Sequence, residues 1–71
     1  MIKSSENLSE DIRIEMLKTK INKVQLSKKL NLSYPTILRK LEYPHTFSIE
    51  IFETMCEILS VSVKELLIKN N

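Results

Sequence analysis

A block of basic residues in the middle of the chain is the strongest chemical signal in the sequence. Residues 18–40 contain seven basic side chains and no acidic one, whereas the rest has four basic and nine acidic residues, so charges of +7 and −5 give the net +2. A basic stretch in a nearly neutral protein is typical of a phosphate-binding surface. A solvated lysine-rich face is the alternative, but the complete separation of charge favours phosphate binding. The block consists of Lys18, Lys20, Lys23, Lys28, Lys29, Arg39 and Lys40.

The residue types needed for catalysis or metal binding are nearly absent. The chain has one cysteine, Cys56, one histidine, His45, and no glycine. One cysteine forms no internal disulfide, and one Cys with one His does not make a zinc site. Without glycine there is no Gly-rich phosphate loop, and no nucleophile–base pair can be named. We therefore expect no enzyme activity, no cofactor and no metal.

The length of 71 residues corresponds to one small domain. No apolar run approaches the roughly 18 residues of a membrane span, and the polar N-terminus does not have the pattern of a secretory signal. With its single cysteine, this indicates a cytoplasmic protein that is not bound to a membrane. We expect an N-terminal extension over residues 1–8 and a folded domain over residues 9–69.

Four positions in the sequence carry the same pair of helix-start signals. In each, a capping residue follows an apolar residue that can pack against another apolar residue four positions beyond the cap. Asn22 with Gln25 and Ser62 with Glu65 also have the spacing of a capping box. The caps are Asn22, Ser33, Ser48 and Ser62, and the apolar pairs are Ile21 with Leu26, Leu32 with Ile37, Phe47 with Phe52, and Val61 with Leu66.

These signals predict an all-α, compact five-helix domain, with helices at about 9–19, 23–30, 34–42, 49–59 and 63–69. Ser5 or Ser9 caps the first helix, whose apolar positions are Ile12, Met16 and Leu17. The connection between the second and third helices is so short that they must cross steeply, as in a helix-turn-helix over about 22–42. Asn31 occupies the position that requires a left-handed backbone.

The sequence from Asn22 to Leu67 resembles the Cro/C1-type helix-turn-helix domain of phage repressors and related bacterial regulators. Asn31 and Ser60 stand where this family usually has glycine, and Lys23 stands where a glutamine usually contacts the DNA backbone. The resemblance implies a protein in the cytoplasm of a bacterial host cell. The matching residues are Leu26, Leu30, Leu32, Ser33, Thr36 and Ile37, followed by Ser48, Phe52, Leu59, Val61, Ser62, Glu65 and Leu66.

The resemblance also implies that the third helix enters the major groove of double-stranded operator DNA. By position, the residues that read bases are Tyr34, Pro35, Leu38 and Arg39, and Arg39 could form a bidentate pair with guanine. The implied phosphate contacts are Ser33, Thr36, Lys23 and Lys28 or Lys29, and Lys40 is added from the basic block.

Three of the four base-reading positions have few hydrogen-bonding groups. Among the side chains of Tyr34, Pro35 and Leu38, the Tyr34 hydroxyl is the one hydrogen-bonding group, so this surface could instead contact a protein. The alternative is that Leu38 belongs to the core and the helix is rotated. The last helix raises a similar question, since Val63, Leu67 and Ile68 could form an outward face for a homodimer or another partner, or be taken up by a compact core.

Two functions follow from these observations. The first is a small Cro-like transcriptional regulator of a lysogeny/lysis-like genetic switch, which binds operator DNA through its third helix. The second is an antirepressor, or modulator of repression, of a temperate phage, which binds a cognate phage repressor and blocks its DNA-binding face. An antidote of a toxin–antitoxin pair is a minor third reading, because fold alone does not decide function.

Overall fold

A computed structural model describes the backbone of residues 5–68 and the side chains of residues 7–68. This part of the chain consists of α-helices and one 3₁₀ turn, with overall dimensions of 34 × 22 × 19 Å. The predicted all-α fold with five helices is therefore confirmed. The elements are α1 (Ser5–Thr19), α2 (Lys23–Lys29), α3 (Tyr34–Glu42), the 3₁₀ turn (Pro44–Thr46), α4 (Ile49–Ile58) and α5 (Val63–Leu67).

The predicted helix bounds agree best for α3, which spans residues 34–42 as predicted. α2 and α4 end one residue earlier than predicted, and α5 ends at Leu67 because Ile68 adopts an extended backbone. α1 is already helical at Ser5, so it crosses the predicted boundary between extension and domain. Ser9 as its cap is therefore wrong, and the side chain of Ser5, the alternative cap, lies outside the described residues.

Ser9 has a different role, inside α1. Its side chain is buried, and its hydroxyl donates a hydrogen bond to the carbonyl of Leu41 in the last turn of α3. The last carbonyls of a helix have no partner within the helix, so an acceptor of this kind is available. The bond ties the C-terminal end of α3 to α1.

All four predicted caps are formed. The side chains of Asn22, Ser33, Ser48 and Ser62 each accept a hydrogen bond from the backbone N–H three residues later. At Asn22 the capping box is reciprocal, with distances of 2.8 and 2.9 Å. At Ser62 only the first half is present among the described residues, so the second predicted capping box is half correct.

The predicted apolar pairs also meet the core. Each partner four residues after a cap is buried: Leu26, Ile37, Phe52 and Leu66. Each residue before a cap packs against that core: Ile21, Leu32, Phe47 and Val61. The rings of Phe47 and Phe52 make an edge-to-face contact at 5.9 Å between centroids. These pairs fix the angle at which the chain enters each helix.

Three of the connections between helices share one backbone geometry. Lys20, Asn31 and Ser60 have φ values of 57°, 56° and 56°, and each directly follows a helix or its last turn. After each of them, the N–H of the next residue donates to a carbonyl five residues back, as in a Schellman motif. The left-handed backbone predicted at Asn31 is confirmed, whereas the one at Lys20 was not anticipated.

The core lies mainly around α1, which packs against α3, α5 and the 3₁₀ turn. Ile12 and Met16 are buried as predicted, but the prediction for Leu17 is wrong, because its side chain is 78% exposed. Cys56 is buried in α4, as expected for a small buried thiol. Desolvation by burial, with a smaller contribution from the charge of Glu53, raises the pKa of Cys56 to about 11.

Candidate nucleic-acid interface

The amphipathic character of α3 determines which of its side chains face outward. Ile37 and Leu41, four residues apart, are buried at 0% and 3% exposure. Pro35 and Arg39 are exposed on the other side, and Tyr34 is exposed at the N-terminal end of the helix. The predicted base-reading residues are thus on the accessible face of α3, in the orientation that the burial of Ile37 and Leu41 dictates.

Leu38 also remains outside the core. Its side chain is half-buried, and it is neither a member of the buried cluster nor one of the partly buried residues packed against it. The alternative of a rotated helix with Leu38 in the core is therefore wrong. Leu38 lies next to Arg39 and one helical turn after Tyr34, so an apolar side chain occupies the middle of this face.

The N-terminus of α3 is held by a small hydroxyl network. The Ser33 hydroxyl donates to the Thr36 hydroxyl oxygen at 2.7 Å and accepts the Thr36 N–H at 3.3 Å. Pro35 lies in the first turn, where its missing N–H costs no helical hydrogen bond. Because the Ser33 proton is used within this network, Thr36 has the hydroxyl that can still donate to a phosphate.

The basic residues predicted to contact phosphates divide into two groups. Lys23, Lys28 and Lys29 are exposed on α2, which packs directly against α3. Lys40 is instead engaged within the protein: its Nζ donates to the carbonyl of Thr46 at 2.7 Å and lies 5.7 Å from the centre of the Phe47 ring. This arrangement gives Lys40 a structural role at the turn that follows α3.

The comparison with protein families agrees with this geometry. The model of the Cro/C1-type HTH DNA-binding domain matches residues 11–70. The chain belongs to this family. A search of curated proteins and a search of solved structures found no match. In the Cro/C1-type domain, α2 and α3 form the helix-turn-helix, and membership identifies the chain as a DNA-binding domain of the kind found in transcriptional regulators.

The predicted partner surface on α5 of this Cro/C1-type domain lies apart from the α3 face. α5 packs against α1 and α4, and Val63 and Leu67 are half-buried against the core. Ile68 is also half-buried, and its N–H donates to the carbonyl of Lys64. The structure therefore does not combine these residues with Tyr34 and Arg39 in one surface. Most of the apolar residues of α5 that could have faced a partner are instead packed against the compact core.

Sequence reasoning missed a second accessible apolar surface of the Cro/C1-type domain. Leu17 on α1 and Val24 on α2 are exposed, and together with Tyr34 they line an open groove. A signal for it was present in the sequence: Met16 and Leu17 are adjacent on a helix, about 100° apart, so both could not face a core already defined by Leu8 and Ile12.

Residues 5–68 contain neither a helix suited to cross a membrane nor a cluster of metal-ligating side chains. No helix there has the length and apolar character that crossing a membrane requires. No group of three or more His, Cys, Asp or Glu side chains between residues 5 and 68 could hold a metal ion.

Proposed function

We propose that this Cro/C1-type protein is a small phage-type regulator of a lysogeny/lysis-like genetic switch, which binds operator DNA through α3. The observation that carries the proposal is the accessible face of α3, where Pro35 and Arg39 are exposed opposite the buried Ile37 and Leu41, with Tyr34 exposed at the start of the helix. A helix such as α3 is about 10–12 Å across with its side chains, which suits a major groove about 12 Å wide.

The side chains of this face suggest how the bases are read. The Arg39 guanidinium can donate two parallel hydrogen bonds to guanine O6 and N7, which is worth about 1–3 kcal/mol of discrimination against other bases. Leu38 can contact the methyl group of a thymine. The Thr36 hydroxyl and the ammonium groups of Lys23 and Lys28 or Lys29 would hold the register through phosphate contacts.

The charge distribution leads to a quantitative expectation for the salt dependence. Lys18 pairs with Glu15 at 3.4 Å and Lys40 donates to Thr46, so we expect the α2 lysines to dominate phosphate neutralisation. Each neutralised phosphate contributes a slope of about −0.9 to log K against log salt. Two contacts from α2, by Lys23 and by Lys28 or Lys29, would therefore give a slope of about −2 for each bound copy.

The test is a fluorescence anisotropy titration of the promoter DNA upstream of the protein's own gene, at about 50 and 200 mM salt. We expect specific, salt-sensitive binding that Arg39→Ala weakens by roughly 5- to 150-fold. Lys64→Ala removes an exposed cation on α5, outside the basic block, and is the matched control that should leave the affinity nearly unchanged. Salt-independent binding, or equal losses in both variants, would contradict the proposal.

A second candidate function is the antirepressor, and the composition of the same face supports it. Tyr34 is 44% exposed and Leu38 remains outside the core beside Arg39. An aromatic and an arginine around an apolar centre are typical of protein-interface hot spots. In this case the protein would bind a cognate phage repressor and block that repressor's DNA-binding face.

The same titration, repeated with the neighbouring repressor bound to the DNA, separates the two functions. Release of the repressor without specific DNA binding by this protein would favour the antirepressor. Leu38→Ala and Leu67→Ala then test the two proposed contact surfaces. If neither variant changed the release, the antirepressor function would have no surface to act through.

Homodimer formation through Val63, Leu67 and Ile68 is part of the regulator proposal, because small Cro-like regulators would bind symmetric sites as dimers. The half-burial of these residues leaves a limited apolar area for such a contact. Sedimentation equilibrium with and without operator DNA tests it. A monomer under both conditions would contradict the dimer.

A further inference from the structure

An apolar groove lies beside the DNA-facing helix, where the end of α1, the start of α2 and the first residue of α3 meet. It is open to solvent, has a volume of about 580 Å³, and is lined mainly by apolar surface. Met16 and Ile21 connect it with the core, while Leu17, Val24 and Tyr34 line it with their exposed side chains.

The grouping of exposed side chains distinguishes this groove from ordinary surface. Leu17, Val24 and Tyr34 are 78%, 46% and 44% exposed and come from three different helices. Isolated apolar side chains on a surface are common, but several that converge on one concavity indicate a binding site. Ile49 on α4 is equally exposed at 77% but does not line the groove.

The charged side chains that line the groove are of one sign. Arg13 and Lys23 are among its lining residues, and no acidic residue is. Lys20 is exposed in the connector that joins α1 to α2, beside the groove residue Ile21. An apolar concavity bordered by cations therefore favours an occupant with an apolar stripe and flanking acidic residues.

We propose that this groove binds an acidic amphipathic helix of a partner protein. Helices of this kind place apolar residues at positions i, i+3, i+4 and i+7 into a hydrophobic groove, while their charges meet the rim. DNA would match the cations but would leave Leu17 and Val24 without apolar contacts. A second copy of this chain would offer the acidic helix α4. That helix fits the groove less well because it has no apolar stripe: Ile49 is the one strongly exposed large apolar residue on it that the structure describes.

Occupation of the groove has a consequence that rests on the proposed function. Tyr34 and Lys23 line the groove and also belong to the proposed DNA-binding surface. A helix seated there would cover both side chains, so partner and operator would compete. The groove would then couple the presence of an acidic partner to release of DNA.

The test uses a fluorescein-labelled designed peptide of about five helical turns, with leucines on one face and glutamates on the other. Two matched peptides have lysine in place of glutamate, or the same composition in scrambled order. We expect micromolar binding of the acidic amphipathic peptide and at least roughly tenfold weaker binding of both controls.

Variants of the protein locate the site. Leu17→Ser should weaken peptide binding by roughly tenfold or more, and its high exposure makes a folding defect unexpected, which circular dichroism checks. Ile49→Ser is the matched control, since it removes an equally exposed side chain outside the groove. Equal binding of all three peptides, or an unchanged affinity in Leu17→Ser, would overturn the proposal.

The failure of this proposal can be separated from failure of operator binding. Arg39→Ala should weaken specific DNA binding and leave peptide binding intact, whereas Leu17→Ser should weaken peptide binding and leave specific DNA binding intact. Peptide binding without any specific DNA binding would support the groove and contradict the regulator function. Self-association that Leu17→Ser abolishes, seen by sedimentation velocity, would assign the groove to a second copy and overturn the acidic-partner proposal.

Discussion

The helices α3 and α5 begin in the same way but place their surplus apolar residues differently. Each follows a left-handed residue, an apolar residue and a serine cap, at residues 31–33 and 60–62. The nine residues of α3 leave Leu38 outside the core, whereas the five residues of α5 have Val63 and Leu67 packed against it. A surplus of apolar residues on a helix therefore does not by itself indicate a partner surface. The elements that pack against a helix determine whether its surplus apolar residues are buried or exposed.

The largest expected effect tests the orientation of α3. Ile37→Ala should lower the free energy of unfolding by about 2–5 kcal/mol, because Ile37 is fully buried. Leu38→Ala, the adjacent position, should lower it by less than about 1 kcal/mol, because Leu38 is outside the core cluster. Urea unfolding of both variants measures this, and equal losses would mean that Leu38 is also a core residue.

The next effect concerns Cys56 in α4, whose carbonyl accepts the Val61 N–H in the turn that leads into α5 and whose thiol can ionise. Burial raises the pKa of the Cys56 thiol to about 11 in the folded protein, from an ordinary value of 9.0. The folded state thus holds the thiol proton more tightly, so this contribution to stability is complete below pH 9 and declines as the pH rises towards 11. The loss should be on the order of 2 kcal/mol.

Cys56→Ala provides the matched reference, because alanine does not ionise. The difference in unfolding free energy between the wild-type protein and this variant should shrink between pH 9 and 11. Other groups that titrate in this range affect both proteins alike. A difference that stays constant over this range would mean that the thiol is accessible to solvent in the folded state.

Leu67→Ala tests whether α5 serves the core or a partner. Packing of Leu67 against the core predicts a loss of about 1–2 kcal/mol in unfolding free energy with unchanged DNA affinity, whereas the proposed homodimer contact predicts weaker DNA binding. Thermal unfolding and the anisotropy titration measure the two quantities. Unchanged stability combined with loss of a dimer would reverse the interpretation and make α5 the contact surface.

The smallest effects come from the two matching connectors. Ser60→Gly should raise the unfolding free energy by about 0.5–1 kcal/mol, because glycine adopts a positive φ without strain. Asn31→Gly should gain less, because asparagine tolerates this backbone better than serine does. Thr54→Gly, at a helical position in α4, is the control and should be destabilising. A loss at Ser60 would contradict the assigned backbone.

Helix caps and helix bounds were predicted from the sequence more accurately than which side chains are exposed and which are buried. Ser33 and Ile37 allowed α3 to be predicted within its observed bounds, because a cap and its apolar partner act over four residues. Leu17 and Ser9 were misassigned, since their surroundings come from other helices. Ser9 bonds to Leu41, a contact between residues 32 positions apart, which no local pattern reveals.

The candidate site shows the same division. Arg39 was predicted on an accessible face because helical spacing places it opposite Ile37 and Leu41, whereas Tyr34 is exposed because it is the first residue of α3. Lys40 belongs to the same basic block, but the structure engages it with Thr46 and Phe47. Charge counting does not show which ammonium groups are held by the protein itself.

The three left-handed residues also bear on how long a molecule of this protein persists in the cell. Lys20, Asn31 and Ser60 each hold a conformation that glycine would adopt more easily, in a chain that has no glycine. Each strained turn increases the fraction of molecules that are unfolded at any moment, which is the fraction that cellular proteases degrade. Single substitutions at Asn31 or Ser60 would therefore change abundance and lifetime without altering either the α3 face or the groove.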